Sequence, residues 1–538
     1  MADIKSGEPF GLDTSAIAQI DWDLALKRVI HDLRSDFIFA PHLGFIYRKA
    51  GDELIAQLKG ELKSGGFSPG VPMTIEVPKS FRMRVTVSPT RLGPSFSRPG
   101  SILLPKDRLF YQALADQAAP VIAKKIDSSR SFSHQLAEPE SESMFLPTRT
   151  CWTSLQHALT ANAARETTRY ILKVDVANFF GSINQHTLVN ILNDSGYPKP
   201  LSTRLEAILT SYTGERSSRG ILQGMYPSDL FGNYYLVPID RILDDSGFRS
   251  ARYVDDIYIL VDNVDSASRL LRELIPALRS YDLVLNETKS VLMPKSALHV
   301  EEPDLQALFE GAVSEIAGQL EDGDFDVDYG FQSEWDDDDD EADEPLELKA
   351  TKVLFDSISQ HPGQEENIER FCLPLFSTAL SDYAVEHVLD AMKKRPSMAQ
   401  IYASYLSKFI ATKEVYEALI EFLGDSSIVD WQRMWVLAAL LRAKPKNDGP
   451  VKVAFGILKE ANRHDALRAV AAIYVGTYGD LPRRKLLIAM YPSVTNYIQA
   501  AIYYSSRLWP SVERGNAKAS WGGHGPLHNY LTIAFAKK

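Results

Sequence analysis

Three acidic residues lie at the ends of segments whose sequence patterns are typical of strands. Residues 170–176 alternate between two faces, which predicts a half-buried strand with Asp175 near its end. Residues 249–261 predict two short β-rich runs that meet at Asp255 and Asp256. Adjacent carboxylates at a hairpin tip suit hard cations that prefer oxygen ligands, such as Mg²⁺. Asp is also a common turn residue, so this pair alone is a weak signal.

The spacing predicts a shared site if the two strands are neighbours. Asp175 and Asp255 would then converge, and two metal ions about 4 Å apart could hold the attacking and leaving oxygens of a phosphoryl transfer. Asp256 would assist at the same edge. Other chemistries have little support, because the sequence has no Cys/His zinc spacing, no phosphate-binding Gly-rich loop with Lys and no nucleophile elbow. His134, His157 and His186 stand singly, as structural histidines commonly do.

The elements around these residues are mixed in the N-terminal part, which is therefore α+β. Apolar residues at helical spacing between 267 and 278 predict a helix capped by Asp265 or Ser266, and 283–285 predict a further strand. Residues 110–122 predict another amphipathic helix, in which Pro120 marks a kink or break.

An acidic stretch divides the chain. The net charge is −12, but residues 301–347 hold 20 Asp and Glu with no Lys or Arg, which leaves 50 acids against 58 bases elsewhere. Such a run repels itself and predicts a solvated linker or surface loop. The alternative hypothesis is a segment that masks a basic groove until nucleic acid displaces it. A mildly basic remainder permits contacts with phosphates without proving them.

Beyond this stretch the pattern is wholly helical. Apolar-periodic segments are separated by short breaks, and candidate second helices of pairs begin about every 30 to 35 residues, a spacing typical of α-solenoids. The pairs share little sequence similarity. An irregular helical bundle therefore remains nearly as well supported as a HEAT-like repeat array.

The composition favours a cytoplasmic protein. With 45% apolar and 24% charged residues the chain can bury more than one core. Cys151 and Cys372 are too few for a disulfide framework. We see no secretory signal and no apolar run long enough to cross a membrane.

Four segments in order resemble the palm motifs of the reverse transcriptases, above all the prokaryotic retron, intron and abortive-infection or defence-associated branches. They are Lys173-Val174-Asp175-Val176-Ala177-Asn178-Phe179-Phe180, Gly220-Ile221-Leu222-Gln223-Gly224, Tyr253-Val254-Asp255-Asp256 and Leu283-Val284-Leu285-Asn286-Glu287-Thr288-Lys289. Two departures stand out. Met-Tyr-Pro-Ser-Asp follows Gln223-Gly224, where many relatives have a Ser-Pro pair, and no helical thumb follows Lys289.

The resemblance implies a role for each matched residue. Asp175, Asp255 and Asp256 would be catalytic and, with Val176, would ligate two Mg²⁺ ions, with Mn²⁺ as an alternative. Phe180 would lie under the sugar and exclude a ribonucleotide 2′-hydroxyl, which predicts deoxynucleotide use.

The remaining matched residues would bind the nucleotide. Gln223 would contact the incoming nucleotide, and Lys289 would lie near the pyrophosphate. Arg98, with Lys79 as its partner, would neutralise the triphosphate.

The resemblance also implies an architecture and a biology. We expect a reverse transcriptase fingers and palm core followed by an all-α, HEAT-like repeat domain. The predicted parts are fingers at 1–165, palm at 166–300, acidic linker at 301–347 and helical domain at 348–538. The leading hypothesis is a homo-oligomeric DNA polymerase in antiphage defence, which uses dNTPs, takes an RNA template or none, and is primed by a nucleic acid or by a protein hydroxyl that leaves the DNA attached.

Two rival hypotheses remain open. One is a retron- or intron-like enzyme that copies a dedicated RNA. The other is a non-catalytic scaffold that binds nucleic acid.

Overall fold

A computed structural model describes residues 10–79, 97–214, 217–298, 305, 308, 309, 312, 345–521, 525 and 527–537. The chain divides into two compact units. The first comprises Met1–Pro78, Phe96–Glu302 and Asp448–Lys538, and the second comprises Lys79–Ser95 and Pro303–Asn447. The Asp336–Asp340 block of the predicted linker lies outside the described residues, so the linker and the masking hypothesis stay predictions.

The first unit begins with helices and a hairpin that precede the central sheet. Its helices up to residue 298 are α1 (Thr14–Gln19), α2 (Trp22–Asp32), α3 (Pro41–Ser64), α4 (Pro105–Ala123), α5 (Thr148–Ala163), α6 (Phe179–Ser182), α7 (Gln185–Asp194), α8 (Lys199–Tyr212), α9 (Tyr226–Tyr235), α10 (Val237–Asp245) and α11 (Val264–Ser280). Its strands are β1 (Met73–Pro78), β2 (Ser97–Ile102), β3 (Tyr170–Val174), β4 (Arg249–Tyr253), β5 (Asp256–Val261) and β6 (Val291–Pro294).

The central sheet has four antiparallel strands in the order β4-β5-β3-β6, while β1 and β2 form a separate hairpin. Val174 pairs with Ile257 across β3 and β5, and Tyr253 pairs with Asp256 across β4 and β5. The sheet was predicted to be half-buried, but Ile171 and Leu172 on its two faces are both buried. The reason is that α5 covers the face of Ile171 with Leu155 and Leu159.

Several element boundaries differ from the predictions for local reasons. Helix α4 runs through Pro120 to Ala123, so the proline does not end the helix. Asn263, not Asp265 or Ser266, caps α11 by accepting a hydrogen bond from the Ser266 amide at 2.8 Å. The predicted strand at 283–285 is only a bridge between Val176 and Leu285.

In the described part of residues 448–538, six further α-helices belong to the first unit. They are α18 (Gly449–Lys459), α19 (Asp465–Tyr478), α20 (Leu481–Met490), α21 (Asn496–Ser505), α22 (Ser511–Trp521) and α23 (His528–Ala536). Helix α23 packs on α3, where the ring of Phe45 lies 5.4 Å from that of Tyr504 and 5.9 Å from that of Phe535. The Lys537 ammonium lies 3.1 Å from the Asp52 carboxylate. The predicted helical domain at 348–538 is thus divided between the two compact units.

The second unit is helical in its described part. Its helices are α12 (Leu346–Asp356), α13 (Glu365–Thr378), α14 (Val385–Ala391), α15 (Ala399–Leu406), α16 (Lys413–Gly424) and α17 (Asp430–Leu440). Helices α13, α15 and α17 pack in sequence, each against the next. Buried Glu369 accepts hydrogen bonds from Tyr402 at 2.6 Å and from Arg395. Within the described ranges, we find no helix with the length and apolarity needed to span a bilayer.

Candidate active site

The pairing of β3 with β5 brings the predicted acidic residues to one edge of the central sheet. Asp175 directly follows β3, and Asp256 begins β5, whose next residue Ile257 pairs with Val174. Val176 forms a bridge with Leu285 just beyond the strand. The neighbouring strands that the sequence hypothesis required are therefore present, and the three carboxylates belong to adjacent strand ends.

Asp255 lies in a two-residue turn between β4 and β5. Val254, the first residue of this turn, has a φ of +55°, a conformation that is strained for a β-branched side chain. The Val254 amide donates to the Ser133 hydroxyl at 2.8 Å, which helps to hold the turn in place. The strain is concentrated at the residue that precedes the catalytic candidate.

A buried ion pair supports this hairpin from below. The Arg252 guanidinium donates to both oxygens of Asp240 on α10 at 2.9 to 3.0 Å and to the Asn233 side chain of α9 at 2.6 Å. Arg252 is 1% exposed. Because both charges are buried and multiply hydrogen-bonded, the network ties the hairpin to the two helices behind it.

Asp175 is held by two residues of the fourth motif-like segment. Asn286 donates to one carboxylate oxygen at 2.8 Å, and the Lys289 ammonium lies 3.1 Å from the other. The Asn286 amide also donates to the Asp175 carbonyl at 2.8 Å. Asp175 is buried, whereas the Lys289 side chain is 64% exposed, so the lysine can leave the carboxylate without crossing the core.

Burial and the two neighbouring carboxylates change the pKa of Asp255. Burial and, after it, the neighbouring carboxylates of Asp256 and Asp175 together raise the pKa of Asp255 to about 7. Lys173 lies 3.8 Å from Asp256 and balances part of this negative charge. A cation bound here would stabilise the ionised carboxylates, because its charge would offset both the cost of their burial and their mutual repulsion.

The acidic edge opens into a cavity of about 370 Å³. Phe180, Gln223 and Arg98 line it together with Asp255 and Asp256. Gly224, which follows Gln223, has a φ of +85°, and a Cβ there would lie 2.5 Å from the Phe37 ring. Glycine is therefore required at this turn both for its backbone conformation and for the space beside Phe37.

Phe180 is fixed in the cavity wall by α9. Its ring lies 5.3 Å from that of Phe179, and a Cβ on Gly232 would approach the Phe180 ring to 2.8 Å. The absence of a side chain at Gly232 thus makes room for the aromatic ring. The position of Phe180 depends on a helix that the residue itself does not belong to.

The two cations predicted to bind a triphosphate differ in their placement. Arg98, on β2, lies over the Phe37 ring at 4.6 Å and lines the cavity. Lys79 directly follows β1, is exposed and belongs to the second compact unit. The role of Lys79 in the site stays a prediction.

The donor set at the acidic edge has the chemistry that Mg²⁺ prefers. Carboxylate oxygens of Asp175, Asp255 and Asp256 and the carbonyl of Val176 are hard ligands. In the described ranges, no three His, Cys, Asp or Glu side chains are arranged as a ready metal site. The meeting of Asp175, Asp255 and Asp256 at adjacent strand ends fits a position for cations.

Four further residues line the cavity that the motifs did not indicate. They are Ser35, Phe37, His134 and Asp229. Ser35 and Phe37 follow α2, far from the palm motifs in sequence, and no local pattern points to them. His134 has a φ of +49° and was seen only as an isolated histidine. Asp229 lies in the first turn of α9, within the segment where the sequence departs from its relatives.

Comparison with known proteins identifies the domain that carries this site. Residues 97–301 match the family model described as "Reverse transcriptase (RNA-dependent DNA polymerase)". The chain thus contains a reverse transcriptase domain, and this domain includes the three acidic residues, Gln223 and Lys289. No curated protein matches the chain.

Three solved structures show weak similarity to the chain. Telomerase from Candida tropicalis in complex with a TWJ fragment of telomeric RNA is 11% identical, with 78% of this chain and 67% of that chain covered and a TM-score of 0.31. Apo telomerase from Candida tropicalis is 10% identical, with 90% and 74% covered and a TM-score of 0.29. Telomerase from Candida albicans with a TWJ fragment is 12% identical, with 89% and 71% covered and a TM-score of 0.28. This similarity is too low to support an argument.

Proposed function

We propose that this chain is a metal-dependent polymerase that adds deoxynucleotides to a growing end, with the reverse transcriptase domain as its catalytic part. The observation that carries the proposal is the pairing of β3 with β5, which brings Asp175 to the same sheet edge as Asp255 and Asp256. Asp255 and Asp256 line a cavity of about 370 Å³. Polymerases of this family usually use divalent metals. When bound, such ions would stabilise the charge that develops on the oxygens of the transferred phosphoryl group.

The protein's own residues would prepare the substrate. Asp175, Asp255, Asp256 and the Val176 carbonyl would hold the ions, and Arg98 would neutralise part of the triphosphate charge. Lys289, now paired with Asp175 but mostly exposed, would move its ammonium group to the leaving pyrophosphate and offset the negative charge that develops there. Gln223, which lines the cavity, would contact the nucleotide.

Phe180 supports a preference for deoxynucleotides. Its ring lines the cavity and is backed by Phe179 and Gly232, so it cannot retreat easily. A 2′-hydroxyl that met this ring would lose its hydration without gaining a hydrogen-bond partner. We therefore expect dNTPs to be incorporated in preference to rNTPs.

A direct assay tests this function. The purified chain would be incubated with Mg²⁺ and labelled dNTPs or rNTPs, on primed RNA, on primed DNA and without template. Incorporation of dNTPs supports the proposal, whereas no incorporation under any of these conditions would favour the scaffold hypothesis. Proteinase digestion of the product would show whether DNA is attached to the protein, and sequencing would reveal a dedicated RNA template.

The role in antiphage defence is the broader part of the proposal. Its support is the resemblance of the motif segments to defence-associated reverse transcriptases and the helical region that follows them. Expression in a bacterial host, with phage challenge, should reduce plaque formation, and an Asp255→Asn chain should give no protection. Equal plaque counts with and without the wild-type chain would contradict this role. Homo-oligomerisation, which the same resemblance implies, can be measured by light scattering.

A further inference from the structure

The cavity contains an acidic residue that the proposed chemistry does not use. Asp229 lies on α9 and lines the cavity together with His134, Gln223 and Phe180. Its side chain is 23% exposed. Among the described residues, no donor makes a hydrogen bond to its carboxylate, although three-quarters of the side chain is removed from water.

His134 lies beside Asp229, but the two side chains do not form an effective ion pair. Its Nε2 lies 3.8 Å from the Asp229 carboxylate, which is too far for a hydrogen bond. Burial, together with a smaller contribution from the charge of Arg252, lowers the pKa of His134 to about 4, so the imidazole is neutral near pH 7. The imidazole therefore flanks the carboxylate without satisfying it.

The other charged groups near Asp229 do not donate a hydrogen bond to its carboxyl group either. Burial raises the pKa of Asp229 well above its ordinary value, and Asp32 raises it further, while Arg108 and Arg98 act in the opposite direction. Arg108 is already engaged by Asp32 at close range and by Asp36 at 2.9 Å. Asp229 lines the cavity and its side chain keeps 23% of its exposure, so a ligand in the cavity can reach the carboxyl group. A ligand that donated hydrogen bonds there would stabilise the ionised form, which burial disfavours.

We propose that Asp229 reads the base of the incoming nucleotide and selects a base that presents amino and ring N–H donors, with guanine preferred. This inference rests on the proposed function, because it takes the cavity as the nucleotide site. Guanine offers two adjacent donors, N1–H and the 2-amino group, which match the two oxygens of one carboxylate. Thymine offers only one donor on the same edge, N3–H, and the carbonyl oxygens on either side of it would repel the carboxylate. The chain would thus contribute base preference that does not come from a template.

Equilibrium binding tests this selection without relying on turnover. The full-length chain would be titrated calorimetrically, without template or primer, with dGTP, dITP and dTTP analogues whose α–β bridge cannot be cleaved. The triphosphate and sugar are identical in all three, so ratios of Kd report the base alone. We expect dTTP to bind about tenfold more weakly than dGTP, with dITP between them because it lacks only the 2-amino group.

The Asp229→Asn variant should bring the three Kd values close together, because the amide retains only one acceptor. Asp194→Asn, which alters an exposed carboxylate on α7, is the matched control and should keep the wild-type ratios. Equal binding of dGTP and dTTP by the wild type, or unchanged ratios in a folded Asp229→Asn chain, would overturn the inference and leave the proposed function standing. If the variant does not fold, the wild-type comparison decides. Failure of the wild type to bind any of the three would overturn both proposals.

Discussion

Burial and mutual repulsion set the chemistry of individual acids in this protein. Asp255 stands beside two other carboxylates, and the structure compensates them only in part through Lys173 and Lys289. Asp107 in α4 is also buried, but its hydrogen-bond donors are uncharged groups. Asp107 accepts hydrogen bonds from the Gly70 amide at 2.9 Å and the Tyr212 hydroxyl at 3.3 Å.

The raised pKa of Asp107 predicts how the free energy of unfolding changes with pH. Burial raises its pKa from 3.8 to about 6. The folded state therefore binds a proton more tightly than the unfolded state, and the stability contributed by this group falls as pH rises from about 4 to about 6. Asp107→Asn should keep both hydrogen bonds and raise the free energy of unfolding at pH 7 by about 1–2 kcal/mol. Chemical denaturation at pH 4 and pH 7 measures this, and a larger gain at pH 4 than at pH 7 would contradict it.

At the scale of single residues, the sequence predicted the acids but not the whole cavity. Asp175, Asp255 and Asp256 could be found because strand periodicity and motif order locate them. His134, Asp229, Ser35 and Phe37 could not, since their place in the wall depends on how distant helices pack. The metal-binding and nucleotide-binding roles of the predicted residues stay predictions until they are measured.

At the scale of elements, helices behind the sheet determine where the site residues lie. Helix α9 positions Phe180 through Gly232 and holds Arg252 through Asn233. Two helices follow the Gln223 segment, because α9 ends at Tyr235 and α10 begins at Val237. Sequence periodicity could not resolve this boundary, since both helices contribute apolar residues to one core.

Gly232→Ala tests whether α9 sets the position of Phe180. The new methyl group would lie 2.8 Å from the ring and should push it into the cavity. We expect kcat/KM for dNTPs to fall about ten- to a hundredfold, the usual effect of a displacement near 1 Å at a reacting centre. Gly456→Ala in α18 is the control, because no heavy atom lies within 4 Å of the added methyl group. Equal activity of both variants would show that α9 does not constrain the ring.

Asp240→Ala tests the buried support of the hairpin. It would leave the Arg252 charge buried without its partner, which should reduce the free energy of unfolding by about 3–5 kcal/mol. Glu142→Ala is the matched control, since Glu142 and Lys27 are 4.0 Å apart and both well exposed; its effect should be below about 0.5 kcal/mol. Urea denaturation of the two variants measures the difference. A loss of similar size in both would mean that the buried network does not support the hairpin.

At the scale of the whole molecule, the C-terminal helices are joined to the N-terminal ones. The predicted boundaries treat 348–538 as one domain, but Asp448–Lys538 belongs to the unit that contains the sheet. His464 contacts the Thr74 carbonyl at 2.7 Å, and the Tyr530 hydroxyl donates to Gln57 of α3. Such contacts join residues hundreds of positions apart, so no local sequence pattern could reveal them.

Truncation tests this arrangement. A chain that ends at Asn447 would expose the face of α3 that Tyr504 and Phe535 cover through Phe45. We expect it to be poorly soluble and to lose cooperative thermal unfolding, because this apolar surface would be left in water. Co-expression of residues 448–538 as a separate chain should restore solubility. A truncated chain that is soluble and unfolds at the wild-type temperature would instead support an independent C-terminal domain.

The rate of nucleotide addition by an Asp255→Asn chain tests the central claim most directly. If Asp175, Asp255 and Asp256 together hold the catalytic ions, this change should reduce dNTP incorporation by about 10³-fold or more. Asp262→Asn, at the opposite end of the same strand and fully exposed, should retain wild-type activity within about twofold. An Asp255→Asn chain that adds dNTPs at the wild-type rate would contradict the account.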